Sequence, residues 1–488
     1  MVLNEPSVLV TSYPGLSLAM PNTEQIWAIC VESTKGEPFE PTFVQTPNQA
    51  YQEFKTRVDG FWGVGGQGLY MIRVTAGTPV AAVHKLYDNA TTSVEALNLT
   101  AKQKGSYEIT ITAGANVSGG SNLTISEDGM PTEYYLGVDT IAELVARINS
   151  DSNIVDATFV AEGSGVLGTI TATVLGTDFT VGSDGRVDPA GEGGALALAD
   201  APEAHRLGLA HLENYVIKGV FSMSPYSAVQ DEYMVHATAM SRPEGHRWRD
   251  AIVGATPDDD SKSSIIARAE DYNDEHVLFV GQGLIDRDGN EHQPYEATAA
   301  VAGKRSYLTY GNAIWGGQRS KLLGIKEEQF FVDVMPMVDT ETFTTAADFR
   351  DYNEKGVITF TLNPDGVRIR EGVTTVQSDN ELMEDEEAVV SIVDHAKQVI
   401  YDACFEMLGK NITSSFKTDI EENIKSALER MKNEDQTLVD IPDESLKAYQ
   451  VSATIVPRSN QRLGKVMVDA SITPVHAARE IKANVVVL

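Results

Sequence analysis

The helix-and-strand periodicity of an α/β chain runs to about residue 98, breaks off between residues 99 and 190, and returns past residue 200. A parallel sheet covered by helices cannot absorb such a stretch as one more crossover. The chain must therefore build a discontinuous core with a second unit inserted into it. Before the break, Ile26–Val31 (IWAICV) and Leu69–Val74 (LYMIRV) are apolar runs of strand type. Between them Thr46-Pro47-Asn48-Gln49 offers an N-cap, a proline at N1 and a glutamine at N3. Ala50, Phe54 and Val58 follow as the apolar face of that helix.

Within 99–190 the sequence turns rich in Thr, Val, Ile and Gly, as in YEITITAG and GTITATVLGTDFTVGSDG. One helix is predicted there, capped by Thr140 and Glu143, with Ile141, Leu144, Val145 and Ile148 on one face. The exit DPAGEGGALALADAPEA reads as a linker. Further on, a helix is expected around Ile265–Ala269 and buried strands at His276–Val280 and Phe330–Val334. Two more strands, Val357–Leu362 and Val367–Ile369, flank the turn Asn363-Pro364-Asp365-Gly366.

Two amphipathic helices come next. The first opens on Glu384–Glu387, read as dipole-favouring acids, and presents Val389, Ile392, Val393, Ala396, Val399, Ile400, Ala403 and Met407, with Gly409 as its cap. The second starts near Thr418–Glu421 and presents Ile420, Ile424, Leu428 and Met431. Alternation over Tyr449–Ile455 and Val466–Ile472 gives two strands, and the chain finishes in KANVVVL, strand-prone and without a helix to cover it.

The charge balance narrows the partners. Asp and Glu number 70 against 38 Lys and Arg, a net charge of −32, which argues against nucleic acid as the main ligand. No apolar run approaches the about 18 residues of a membrane helix. The first basic residue is Lys35, so no charged signal-peptide start is expected, and two cysteines make no disulfide framework. A soluble protein assembled inside a cell is the expectation.

Chemical motifs fail on context. Gly63–Gly68 matches GxGxxG, but a helix precedes it and a strand follows, the reverse of a dinucleotide site. Gly303-Lys304, Gly409-Lys410 and Gly464-Lys465 lack the Ser or Thr of a phosphate loop, and no GxSxG is present. Asp286, Asp288 and Asn290 imitate a calcium loop, yet Glu291 and Ala297 occupy its glycine and glutamate positions, so a hairpin is expected. His205 and His211 are six apart, off one helical face. Cys30 and Cys404 read as buried small hydrophobes, His246–Arg249 as a surface helix start and Asp258–Asp260 as a solvated loop. No catalytic residue, metal ligand or cofactor is expected.

Four stretches together resemble the contractile tail sheath proteins of bacteriophages and related injection machines. They are YPGLSL with IWAICVESTKGEPFEPTFVQTPNQAYQEF, then GVGGQGLYMIRV, then EHVLFVGQGLIDRDGNEHQPYEATAAVAG, and last the C-terminal helices with AYQVSATIV and GKVMVDASITPVHAAREIKANVVVL. The resemblance implies a mixed α+β, multidomain fold: an α/β sheath core with an inserted β-rich domain and extended N- and C-terminal arms. Residues 1–20 form the first arm, 21–98 and 191–345 a middle α/β domain, 99–190 an outward-facing insertion, 346–472 a C-terminal α/β core and 473–488 the second arm. It implies further that the arms, through Val8, Leu9, Val10 and Val485, Val486, Val487, Leu488, add strands to neighbouring subunits.

On this reading the partners are other copies in stacked helical rings, a tail tube protein, and baseplate and terminator proteins, with no nucleic acid and no membrane insertion. The place is a virion tail assembled in the host cytoplasm, and contraction from a metastable state drives the tube through the host envelope. The family's tube contact lies in the C-terminal core, which makes Lys417, Lys425, Arg430 and Lys432 candidates to face the tube; they fit a solvated helix face equally. Two other classes remain: an enzyme holding phosphate at Gly63–Gly68, and a β-rich surface-binding protein using 99–190.

Overall fold

The computed structural model describes residues 25–77, 79, 81–105, 107–173, 179–180, 200–242, 247–308, 313–314, 321–322, 329–337, 346–376, 386–407, 413, 415–440, 447–456 and 465–475. Seven strands make the main sheet, in the order Val357–Ile358, Val277–Val280, Asp250–Gly254, Gly219–Phe221, Trp27–Val31, Leu69–Arg73 and Thr42–Val44. All neighbours pair parallel except the last two. The central strands are buried on both faces, as parallel sheets require. Trp27, Ile29 and Val31 face one core with Phe221, Ile252, Leu278 and Val280. Ala28, Cys30, Val220, Ala251, Val253 and Phe279 face the other.

Helices Pro47–Phe54, Asp59–Gly63 and Pro294–Tyr307 cover the first face. Ala201–His211, Ser227–Ser241 and Lys262–Tyr272 cover the second. Thr46 caps as expected, its side chain accepting from the Gln49 N–H. The helix stops sooner than the apolar spacing suggested, because Lys55 turns left-handed at φ 53°. Val58 instead precedes the next helix, buried in the same core.

The insertion leaves after Leu69–Arg73 and returns before Ala201–His211. Two four-stranded antiparallel sheets and the helix Ile141–Asp151 enclose its own core of Leu97, Leu99, Ile111, Leu123, Ile125, Leu144 and Ile148. Ser121–Glu127 alternates buried and half-buried residues, the pattern of a strand with one wet face. Thr140 accepts from the Glu143 N–H as predicted. The first strand of this unit, Val83–Tyr87, lies ahead of the compositional break, since its alternation is too short to stand out. Glu127, 1% exposed, ties the unit to the core by accepting from Lys35 at 2.5 Å and Lys55 at 2.7 Å. Of the expected exit linker, residues 188–199 lie outside the described ones, and Ala201–Ala204 form the first turn of a helix.

Residues 346–376, expected in the C-terminal domain, pack with the main sheet. Tyr352 and Val357 belong to its second core, and Val357–Ile358 is its edge strand. The hairpin Phe360–Asn363 with Gly366–Ile369 turns at Pro364-Asp365 as read from sequence. Beyond it, helices Glu387–Phe405 and Phe416–Arg430 pair and bury Ile392, Ala396, Ile420, Ile424 and Leu428. The antiparallel hairpin Tyr449–Val456 with Lys465–Ile472 shares that cluster through Ala453.

Candidate functional site: the C-terminal joint and hairpin

Three parallel strands of the main sheet begin beside a charged group: Lys218 before Gly219, Asp250 at its strand's first position, and His276 before Val277. Lys218 Nζ lies 2.9 Å from Asp250 Oδ2, both side chains buried. Helix Glu387–Phe405 answers with Glu387, Ser391 and Asp394, which share one face by their spacing. Arg305, near the end of Pro294–Tyr307, sets Nε 2.6 Å from Glu387 Oε1 and also donates to Ser391 Oγ. His276 Nε2 is 3.2 Å from Asp394 Oδ2, and its Nδ1 is 3.5 Å from Asp274 Oδ1. The C-terminal helices are thus joined to the sheet by buried charge rather than by apolar packing alone.

Glu387 stands in the helix's first turn as expected of a dipole-favouring acid, but it is also one half of a buried ion pair. Glu386 and Glu387 are buried, while Glu384 and Asp385 lie outside the described residues. Burial pushes the Glu387 carboxyl up, against the pull of Arg305. For His276, burial opposes the charge, but hydrogen bonds to Asp274 and Asp394 prevail and hold its pKa at about 10. A raised pKa makes this contribution complete below the ordinary histidine value of about 6.5 and lost as pH rises through about 10. His236 works in the other direction. Burial and the neighbouring Arg249 lower it to about 3, so its contribution is complete above about 6.5 and is lost as pH falls toward about 3. Melting temperature should therefore decline on both sides of neutrality, and His276→Gln should flatten the alkaline limb alone in a calorimetric pH series.

Arg249 corrects another expectation. His246 lies outside the described residues, and Arg247–Arg249 lead into strand Asp250–Gly254 instead of starting a surface helix. Arg249 is fully buried and donates to the carbonyls of Leu212 at 2.8 Å and Tyr215 at 2.6 Å, closing the end of Ala201–His211. Asp259 departs from a solvated loop likewise: it is buried, 2.7 Å from Arg268 Nη1, and accepts from the Thr256 N–H. Asp258 and Asp260 are exposed as read.

The motif residues have structural occupations. In Gly63–Gly68 the N–H groups of Gly65, Gly66 and Gln67 donate to Trp62 O, Phe61 O and Ser306 Oγ, which leaves no cradle for phosphate. A Cβ on Gly66 would meet Phe61 at 2.3 Å, so close packing explains the glycine. Asp286 accepts from the Asp288 and Asn290 N–H groups inside a hairpin turn. Burial of Cys30 pushes its thiol up to about 12, far from nucleophilic range. Cys404 is half-buried and raised for the same reason. His205 meets Tyr233 and Glu32, while His211 stacks on Phe39. Among the described residues no His, Cys, Asp and Glu group could hold a metal, and no helix is long and apolar enough to cross a membrane.

Between the joint and the second C-terminal helix lies a cleft of about 1170 Å³, with Lys218, Arg247, Asp394, Asp402, Glu429 and Arg430 on its walls. The remaining tube-facing candidates sit on helix Phe416–Arg430 or just past it. Lys417 and Lys425 each lie 3.8 Å from Glu421, and Lys432 lies 2.7 Å from Asp440. The structure turns Arg430 to the cleft and gives the three lysines local acidic partners. Arm residues Val8, Leu9, Val10 and Val485–Leu488 lie outside the described residues.

No protein-family model and no curated protein sequence matches the chain. Solved structures do. The sheath tail protein from Desulfitobacterium hafniense is similar over 96% of this chain and 100% of its own, at 14% identity and a TM-score of 0.63. That of Listeria innocua is similar over 91% of this chain and 94% of its own, at 13% identity and 0.58. The helical sheath of the anti-feeding prophage in its contracted state is similar over 99% of each chain, at 12% identity and 0.51. At these identities the likeness establishes the fold: a mixed α+β, multidomain architecture shared with sheath proteins across nearly the whole chain.

Proposed function

We propose that this protein is the subunit of a contractile sheath, polymerising in helical rings around a tube and shortening from a metastable extended state to drive that tube through an envelope. The observation that carries the reading is the likeness to a sheath tail protein over 96% of this chain and 100% of the other. The C-terminal hairpin supports it, because a two-stranded sheet whose Tyr449–Val456 strand meets helix Phe416–Arg430 keeps Lys465–Ile472 as an edge that another chain can extend. Contacts of that head-to-tail kind propagate into open helical arrays. The role is structural, with other copies, a tube protein and the baseplate and terminator proteins as partners, and a tail assembled in the host cytoplasm as the place. Negative-stain microscopy of purified protein should show hollow tubes or stacked rings; monodisperse particles at every protein and salt concentration would refute the reading.

The insertion, with its own core, is the outward-facing module in this scheme. Joining residues 77 and 200 by a short Gly/Ser linker should leave a cooperatively folding protein that still forms tubes, narrower in outer diameter. An insoluble or non-cooperative product would show that the insertion is part of the core.

A further inference from the structure

The C-terminal helices and hairpin gather around Ile392, Ala396, Ala403, Ile424 and Leu428, and none of these residues belongs to either apolar core of the main sheet. The polar joint grips this unit near one end of helix Glu387–Phe405, through Arg305 on Glu387 and Ser391 and His276 on Asp394. The chain enters at the same end, where Glu387 N–H donates to Gly372 O at 3.1 Å. From Asp394 to Glu406, about 18 Å at about 1.5 Å per residue, the helix forms one wall of the cleft of about 1170 Å³. The two walls differ in charge. On the sheet side Lys218 is held by Asp250, while Arg247 donates only to the carbonyls of Glu213 and Tyr215 and has no carboxylate in ion-pair range among the described residues. On the helix side Asp402 and Glu406 are exposed, and neither has a cation in ion-pair range among the described residues. Glu429 adds a third acid to that wall and Arg430 a single cation.

We infer that the C-terminal unit is hinged at this joint and that the cleft is the open position of a jaw, which Arg247 on one wall and Asp402 and Glu406 on the other draw shut. A unit with its own core, fastened by a polar contact instead of a broad apolar one, moves as one body. The buried ion pairs pin the start of the helix, so the far end, where Asp402 and Glu406 stand, travels most. Opposite charges on the two walls attract across the gap over a screening length of about 10 Å at about 0.1 M salt, which falls to about 3 Å at about 1 M. The hairpin shares the moving core through Ala453, so closing the jaw changes the angle at which Lys465–Ile472 is presented relative to the sheet. The inference goes beyond the sheath reading, because the motion belongs to a single copy of the chain.

The test is a pulsed electron-resonance distance measurement on the full chain, with nitroxide labels at Val216→Cys on the sheet wall and Phe405→Cys at the helix end, both exposed positions. Cys404→Ser removes the half-buried thiol, and Cys30 is buried and stays unlabelled. Dilution with unlabelled chain restricts the reading to distances within one copy. At low salt the distribution should hold a short-distance population, and raising salt to about 1 M should shift it to longer distances. Asp402→Asn with Glu406→Gln should lose the short population at every salt concentration without touching Arg247 or its carbonyl partners. Arg247→Glu should lose it as well, and adding Asp402→Lys and Glu406→Lys to Arg247→Glu should restore it. Circular dichroism melts verify that each variant folds; should Arg247→Glu not fold, the Asp402→Asn, Glu406→Gln variant decides alone. One distance that salt does not change, a short population that survives neutralising Asp402 and Glu406, or a folded charge-reversed variant that fails to regain it overturns the inference. The distances are read within one copy, so a chain that shows the salt-dependent closure yet never forms tubes refutes the sheath reading and leaves the hinge standing.

Discussion

Truncation after Val475 is expected to give a soluble protein that unfolds cooperatively and forms no tubes. The site of the cut matters. Val475 N–H donates to Thr437 O, and Val439 N–H donates to Thr473 O, so residues 473–475 belong to the chain's own C-terminal unit. Residues 476–488 lie outside the described residues. The cut leaves the cluster of Ile392, Ile420, Ile424, Leu428 and Ala453 untouched, and stability should change by less than about 0.5 kcal/mol, as for substitutions away from packed features. Assembly should be lost altogether, because strand addition supplies main-chain hydrogen bonds that no side-chain contact replaces. Val486→Pro should weaken it in the same direction by removing one ladder donor. Sedimentation and negative-stain microscopy read both outcomes. Normal tubes from the truncated chain would mean that the C-terminal arm links nothing.

How much of this could be read from sequence depended on whether a residue's burial is declared by its neighbours. Trp27–Val31 and Val277–Val280 are continuous apolar runs and were legible as buried strands. The caps at Thr46 and Thr140 were legible because a cap is a local bond between residues three apart. Strand Asp250–Gly254 was not, although it lies in the middle of the sheet. Its approach, Arg247-Trp248-Arg249-Asp250, is charged, and Arg249 and Asp250 are buried only because Lys218 and the carbonyls of Leu212 and Tyr215 arrive from distant positions. The joint failed to show for the same reason: Glu387 looks like a dipole-compensating surface acid until Arg305 is placed beside it. Apolar patterning announces itself along the chain, whereas a buried ion pair is a fact about two segments at once. Of the hairpin, alternation showed the strands, but the bond from Ala453 N–H to Glu421 joins two elements and shows in neither alone.

Arg305→Met is expected to be the most damaging single substitution at the joint. It leaves Glu387, 2% exposed, in a buried site without its guanidinium, and stranding one partner of a buried pair costs about 3–5 kcal/mol. Ser391 loses a donor at the same time. Because Glu387 opens helix Glu387–Phe405, the damage should appear first as detachment of the C-terminal helices and hairpin, seen as faster amide exchange over 387–440 than over the central strands 250–254 and 277–280. The companion variant separates charge from shape. Arg305→Met with Glu387→Met removes both charges together, and since replacing a whole buried pair by apolar side chains is often neutral, most of the loss should return. Chemical denaturation of the two variants against wild type measures the difference. If the double variant is no more stable than the single one, Glu387 is held by its other neighbours, and the link between sheet and C-terminal helices rests on His276 and Asp394 instead.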